Sequence, residues 1–169
     1  ICLFVNFFSK KTNMKIINIT IVILLILSSK IISEEISGFP IITDGDTIKL
    51  ANKKIRFHGV DTPEKKQICY RNSKEYNCGK EATDALANKI DKNSVTCKLQ
   101  DKLDRYKRYI GVCFIGEVNL NKWLVRNGYG VAYRRYSKDY VEDENYAKKN
   151  KLGLWSGNFL YPEKWRKLN

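Results

Sequence analysis

Between residues 38 and 60, apolar and polar positions fall into three short runs, 39–42, 47–50 and 54–60, broken by Asp44-Gly45-Asp46 and by Ala51-Asn52-Lys53. Runs of this length, rich in Ile and Val and bounded by turn formers, predict a β-meander. The pattern lapses over 65–78, where Lys65, Lys66, Arg71 and Lys74 are scattered among polar residues, as expected of a basic loop. From residue 79 the period lengthens, because Ala82, Ala85, Leu86 and Ile90 share one helical face. Alternation returns over 94–99 and again over 109–115, predicting a fourth and a fifth strand on either side of a turn around Asp104-Arg105-Tyr106. Asn119 suits the N-cap of a helix through Leu120, Leu124 and Val125 that Gly128 stops. A last amphipathic helix is expected over 139–150, followed by an aromatic arm carrying Trp155, Phe159 and Trp165.

Five strands, one helix between the third and fourth and two more afterwards predict an α+β, mainly β class, a five-stranded OB-type barrel with about three helices. The hydrophobic content of 43% is enough for one core. Residues 1–33 contain no acid, begin with basic positions at Lys10, Lys11 and Lys15, run apolar from 16 to 27 and then reach Ser28-Ser29. That order is a signal peptide's, with Met14 as the expected start of translation and cleavage expected after Ser33, leaving 34–169 as the folded domain. The rival is an uncleaved anchor, but Lys30 interrupts a stretch already short of the roughly 20 residues that span a bilayer. Membrane attachment is expected only in that case.

The chain carries 31 Lys and Arg against 18 Asp and Glu, a formal charge of +13 that calls for a polyanionic partner such as nucleic acid or an anionic membrane. Of five cysteines, Cys2 lies in the leader; an even four in an exported remainder predict disulfides and a secreted or periplasmic protein. Cys97 and Cys113 mirror one another about Arg105 on two strand-like runs and so are expected to pair, leaving Cys69 with Cys78. Zinc is disfavoured, since there is no CxxC pair and the only histidine, His58, is not placed as a fourth ligand.

Asp44 and Asp46 close one predicted strand, Asp61 and Glu64 another, and a meander can bring those ends together. Carboxylates gathered without His or Cys make an oxygen-only site suited to Ca²⁺. Taken singly, Asp-Gly-Asp and Thr62-Pro63-Glu64 are ordinary turns. Arg56, on the strand leading to Asp61, and Arg108, at the start of the fifth, change the balance: guanidinium pairs match phosphate oxygens at any working pH. With a single histidine, a two-histidine ribonuclease mechanism is excluded, and metal with carboxylate chemistry remains for phosphodiester hydrolysis.

The strings "ITDGDTIKL", "IRFHGVDTPE", "DRYKRYIGVCF", "WLVRNGYGVAYRRYSKDY" and "GLWSG" resemble the thermonuclease family, of the staphylococcal nuclease type and its exported, disulfide-containing branch. The resemblance runs from about 38 to 157. It implies Ca²⁺ as cofactor, with Asp46, Asp61 and the Thr62 carbonyl as ligands and Asp44 as an acid behind them. It implies Glu64 as general base, Arg56 and Arg108 as phosphate-binding catalytic arginines, and Tyr106 and Tyr133 as nucleotide-contacting tyrosines. It further implies cleavage of DNA and RNA with little sequence preference, 3′-phosphate ends and no stable protein partner. The chain departs from the pattern in three places: a longer segment 65–80, Arg135 where a second pocket tyrosine is usual, and His58 at an aliphatic position, expected to be packed on a strand without a catalytic role. The alternative is a non-catalytic OB-type nucleic-acid-binding module, disfavoured because Asp46, Asp61, Glu64, Arg56 and Arg108 are all present.

Overall fold

The computed structural model describes residues 34–169, so the leader and its cleavage point lie outside the described residues. Strands β2 (Ile41–Asp44), β3 (Thr47–Leu50) and β4 (Lys53–Phe57) form the expected meander. Their inward positions, Ile48, Leu50, Ile55 and Phe57, are fully buried while Lys49 points out. The β3–β4 hairpin turns on Ala51 and Asn52, both at positive φ, which matches the right-handed twist of the strands it joins.

Strand β5 (Val60–Asp61) is a separate short piece after a turn at His58 and Gly59. Residues 65–78, expected as a loop, instead form the hairpin of β6 (Ile68–Arg71) and β7 (Lys74–Asn77), with a second two-residue turn at Asn72 and Ser73. Ile68 and Tyr70 are exposed there while Cys69 between them is buried, so the large apolar residues do not mark the strand's inward face. Helix α1 (Cys78–Ile90) is N-capped by Asn77 and buries Ala82, Leu86 and Ile90 against the sheet.

Strand β8 (Val95–Leu103) pairs with β9 (Tyr109–Ile115), and β1 (Glu35–Gly38), whose sequence EISG holds a single large apolar residue and predicts no strand, pairs with the other edge of β8. The parallel pairing of β4 with β9 joins the two halves, giving the order β1-β8-β9-β4-β3-β2 in a curled OB-type sheet, with β10 (Val118–Asn119) added at β9. Helix α2 (Leu120–Arg126), capped by Asn119 as expected, drives Leu120, Leu124 and Val125 into the core. Short strand β11 (Val131–Ala132) pairs with β5, helix α3 (Val141–Lys149) follows, and after a 3₁₀ turn (Gly153–Ser156) the aromatic arm ends in a fourth helix, α4 (Pro162–Leu168).

Cys97 and Cys113 are direct partners in the β8–β9 register and are bonded, and Cys69 is bonded to Cys78, which ties β6 to the start of α1.

Candidate active site

Two turns meet at the end of the meander. Asp44-Gly45-Asp46 joins β2 to β3, and the Asp46 N–H donates to Asp44 Oδ1 at 3.1 Å. Thr62, just past β5, donates to Asp46 Oδ2 from its backbone N–H at 2.9 Å and its hydroxyl at 3.1 Å. A side chain at position 45 would put its Cβ 2.8 Å from the Thr62 hydroxyl oxygen, so glycine is what lets the turns touch. From the other side, α1 presses on Glu64: a Cβ on Gly79 would lie 1.8 Å from the Glu64 carbonyl oxygen. Fully buried Gln67 closes the turn, its N–H donating to the Glu64 carbonyl at 2.7 Å while its Oε1 accepts from the Glu64 N–H at 3.2 Å.

Arginines knit the acids together. Arg56, on β4, donates from Nη1 to Asp46 Oδ1 and from Nη2 to Asp61 Oδ1 at 2.8 Å. Arg166, on α4, donates from Nη1 to Asp61 Oδ1 at 2.9 Å and Glu64 Oε1 at 2.8 Å, and from Nη2 to Asp61 Oδ2 at 2.9 Å. Arg108 is fixed at the mouth of the β8–β9 turn by Asp104, which takes its Nε–H at 2.8 Å and its backbone N–H at 2.9 Å, and its Nη1 lies 3.5 Å from the Thr47 hydroxyl. The Tyr133 ring lies 5.9 Å from both the Arg56 and the Arg166 guanidinium carbons. Tyr106 sits at the rim, 63% exposed, with Arg108 5.3 Å over its ring. The structure thus brings Asp44, Asp46, Arg56, Asp61, Thr62, Glu64 and Tyr133 together, with Arg108 alongside through Thr47 and Tyr106 outermost.

Asp46 and Asp61 are 3% and 1% exposed, so their charge is costly without partners. Four carboxyl groups here share two guanidiniums, Arg56 and Arg166, which between them pair with Asp46, Asp61 and Glu64, so the cluster with all four acids ionised carries two more negative charges than positive ones. Burial first, and the neighbouring Asp46 second, push the Asp44 carboxyl up to about 6. Burial likewise pushes Asp61 up, against the pull of Arg166 and Arg56. An oxygen-only set short of two positive charges fits a hard divalent cation. Among the described residues, no three acidic, His or Cys side chains surround a common metal position, because arginines stand between the acids. A cation held by Asp46, Asp61 and the Thr62 carbonyl would replace part of those contacts.

The Asp44 shift has a testable sign. Its proton is held more tightly in the folded state, so its contribution to stability is complete below its ordinary value of 3.8 and is lost as pH rises through about 6. In cation-free buffer, Asp44→Asn should raise unfolding free energy at about pH 8 by on the order of 2 kcal/mol, the gain vanishing near pH 4. Urea titrations at both pH values with EDTA measure it; an equal effect at both would show that the charge is not the cause.

A cleft of about 390 Å³ opens beside Asp61, with Tyr133 and Arg135 on one wall and Tyr161, Lys164 and Lys167 on the other. Arg135, where a second pocket tyrosine is usual, donates to Glu163 at 3.1 Å and so ties α4 down, while Tyr136 packs edge-on against Tyr133 at 4.8 Å. His58 lies in a turn after β4 rather than on a strand, its ring nitrogens facing Gln100 at 3.0 Å and Asp139 at 3.3 Å.

Two contributors escaped sequence reasoning. Gln67 lies in the stretch expected as a basic loop, and Arg166 in the aromatic arm. Pro162 at the first turn of a helix, followed by Glu163 and Lys167 at i,i+4 spacing, was a usable signal for α4. Nothing in the sequence pattern pointed Arg166 at Asp61.

Comparisons with known proteins give the family. The family model described as "Staphylococcal nuclease homologue" matches residues 54–157. Succinoglycan biosynthesis protein ExoI of Rhizobium meliloti is 34% identical over 127 residues, covering 73% of this chain and 66% of that protein. An uncharacterized endonuclease of Haemophilus influenzae is 31% identical over 134 residues, covering 75% of this chain and 70% of its own length. A micrococcal nuclease of Shigella flexneri is 33% identical over 144 residues, with 75% and 77% covered. Motif order, OB-type fold and these matches agree, and the chain belongs to the staphylococcal nuclease homologue family, a family of phosphodiester hydrolases.

Proposed function

We propose that the protein is an exported, Ca²⁺-dependent nuclease that cuts DNA and RNA with little sequence preference and leaves 3′-phosphate ends. The observation that carries this reading is the bridging of buried Asp46 and Asp61 by Arg56, with Glu64 joined to the same Asp61 through Arg166. Arg56 and Arg108 would take the phosphodiester's non-bridging oxygens, and Glu64, through its second oxygen, would accept the proton of the attacking water. The bond from phosphorus to the 5′ oxygen breaks, the phosphate stays on the 3′ oxygen, and Arg108 supports the departing oxygen. A bound Ca²⁺ would supply positive charge where the phosphorane develops negative charge. Tyr133 and Tyr106 offer ring faces and phenols to the flanking nucleotides, contacts that read no base sequence.

Export is supported by the two disulfides, and no helix among the described residues is long and apolar enough to cross a membrane. The named nuclease relatives support the substrate class. Digestion of end-labelled single-stranded DNA and RNA tests the reading: cleavage with Ca²⁺, none with EGTA and products carrying a 3′-phosphate are expected. Binding without cleavage in every condition would overturn it in favour of a non-catalytic OB-type module.

A further inference from the structure

Helix α4 lies beyond residue 157, where the match to the family model ends, yet it delivers a guanidinium to the middle of the acidic cluster. The segment leading to it is fastened at several points. Tyr70 and Asn158 exchange backbone hydrogen bonds at 2.9 and 2.8 Å, buried Gln67 donates from Nε2 to the Leu160 carbonyl at 2.7 Å, and Arg135 holds Glu163. Gln67 also closes the Glu64 turn, so a single buried side chain couples the arm to the candidate base. Arg166 takes both oxygens of Asp61 and one of Glu64, leaving Glu64 Oε2 with no hydrogen-bond partner among the described residues.

Resting on the nuclease reading, we propose that Arg166 is a third arginine of this centre, a positioning residue that holds Glu64 beside Asp61 and sets by its charge how tightly the acids take a divalent cation. The two effects have opposite signs. Without Arg166, Glu64 loses its tether and turnover falls, as when outer partners of a metal site are removed. Removing a positive charge in contact with Asp61 also favours another cation there. A merely structural arginine would lower turnover, cation affinity and melting temperature together.

The experiment measures Ca²⁺ affinity by calorimetry without substrate, kcat and KM on single-stranded DNA, and melting temperature, for the wild-type protein, Arg166→Gln and Arg166→Lys. Arg166→Gln should bind Ca²⁺ about tenfold more tightly while kcat drops about 10- to 100-fold with KM nearly unchanged. Arg166→Lys keeps the charge and loses the planar fork, so it should restore near wild-type affinity with kcat still low; it also serves if the Gln variant does not fold. Unchanged or weaker Ca²⁺ binding in Arg166→Gln, or an unchanged kcat, overturns the proposal. If the wild-type protein cuts nothing at any Ca²⁺ concentration, the nuclease reading fails, and the calorimetric difference still decides the charge effect of Arg166.

Discussion

Glu64→Gln is expected to leave a folded protein that binds single-stranded DNA and cleaves it at least about 10³-fold more slowly, within the range for loss of a general base. The substitution is nearly isosteric. A Gln carbonyl still accepts from Arg166, and the backbone closure with Gln67 involves no side-chain atom of residue 64. What disappears is the ability to take a proton from water, so kcat should fall and KM should change little. Glu64 is partly exposed, its side chain 39% accessible, and stability should stay within about 0.5 kcal/mol of wild type. Single-turnover cleavage with saturating Ca²⁺, alongside circular dichroism, measures both. A rate within tenfold of wild type would remove Glu64 from the chemistry and pass the role to another group.

How far the sequence announced this arrangement depends on whether the signal was local. The meander was legible because Ile48, Leu50, Ile55 and Phe57 alternate with polar residues and face one core, and helix α2 because Asn119 caps it. The Cys97–Cys113 bond followed from symmetry about a turn, which the register bears out. The β6–β7 hairpin was not legible: it sits on the surface, its outward Ile68 and Tyr70 mimic no buried face, and its left-handed turn is made by Asn-Ser rather than Asn-Gly. For the site, the acids and Arg56 lie within twenty-one residues of one another, so adjacent strand ends could be inferred to converge. Arg166 is 105 residues from Asp61, and only the path of the arm across Tyr70 and Gln67 brings them together. Long-range placement of this kind is set by packing and leaves no periodic trace.

The largest stability effect should come from Arg56. Its side chain is 14% exposed and bonds two carboxylates, those of Asp46 and Asp61, at 4% and 1% exposure. Arg56→Met fills similar space but strands Asp46 without a cationic partner in the interior and leaves Asp61 to Arg166 alone, for which a loss of about 3–5 kcal/mol is expected, lowering Tm by roughly 10–15 °C for a domain of this size. The pH dependence identifies the cause. In the variant the buried acids hold protons more tightly when folded than when unfolded, so the deficit should be greatest near neutral pH and shrink as pH falls. Added Ca²⁺ should return part of the stability at pH 7, because a cation that binds only the folded form substitutes for the missing charge. Cleavage should not return with it, since the paired donors for the phosphate are gone. Thermal melts at pH 4 and pH 7, with and without Ca²⁺, measure each arm. A loss under about 1 kcal/mol, or one of equal size at both pH values, would show that Asp46 and Asp61 are not held by Arg56's charge and that the site is balanced in another way.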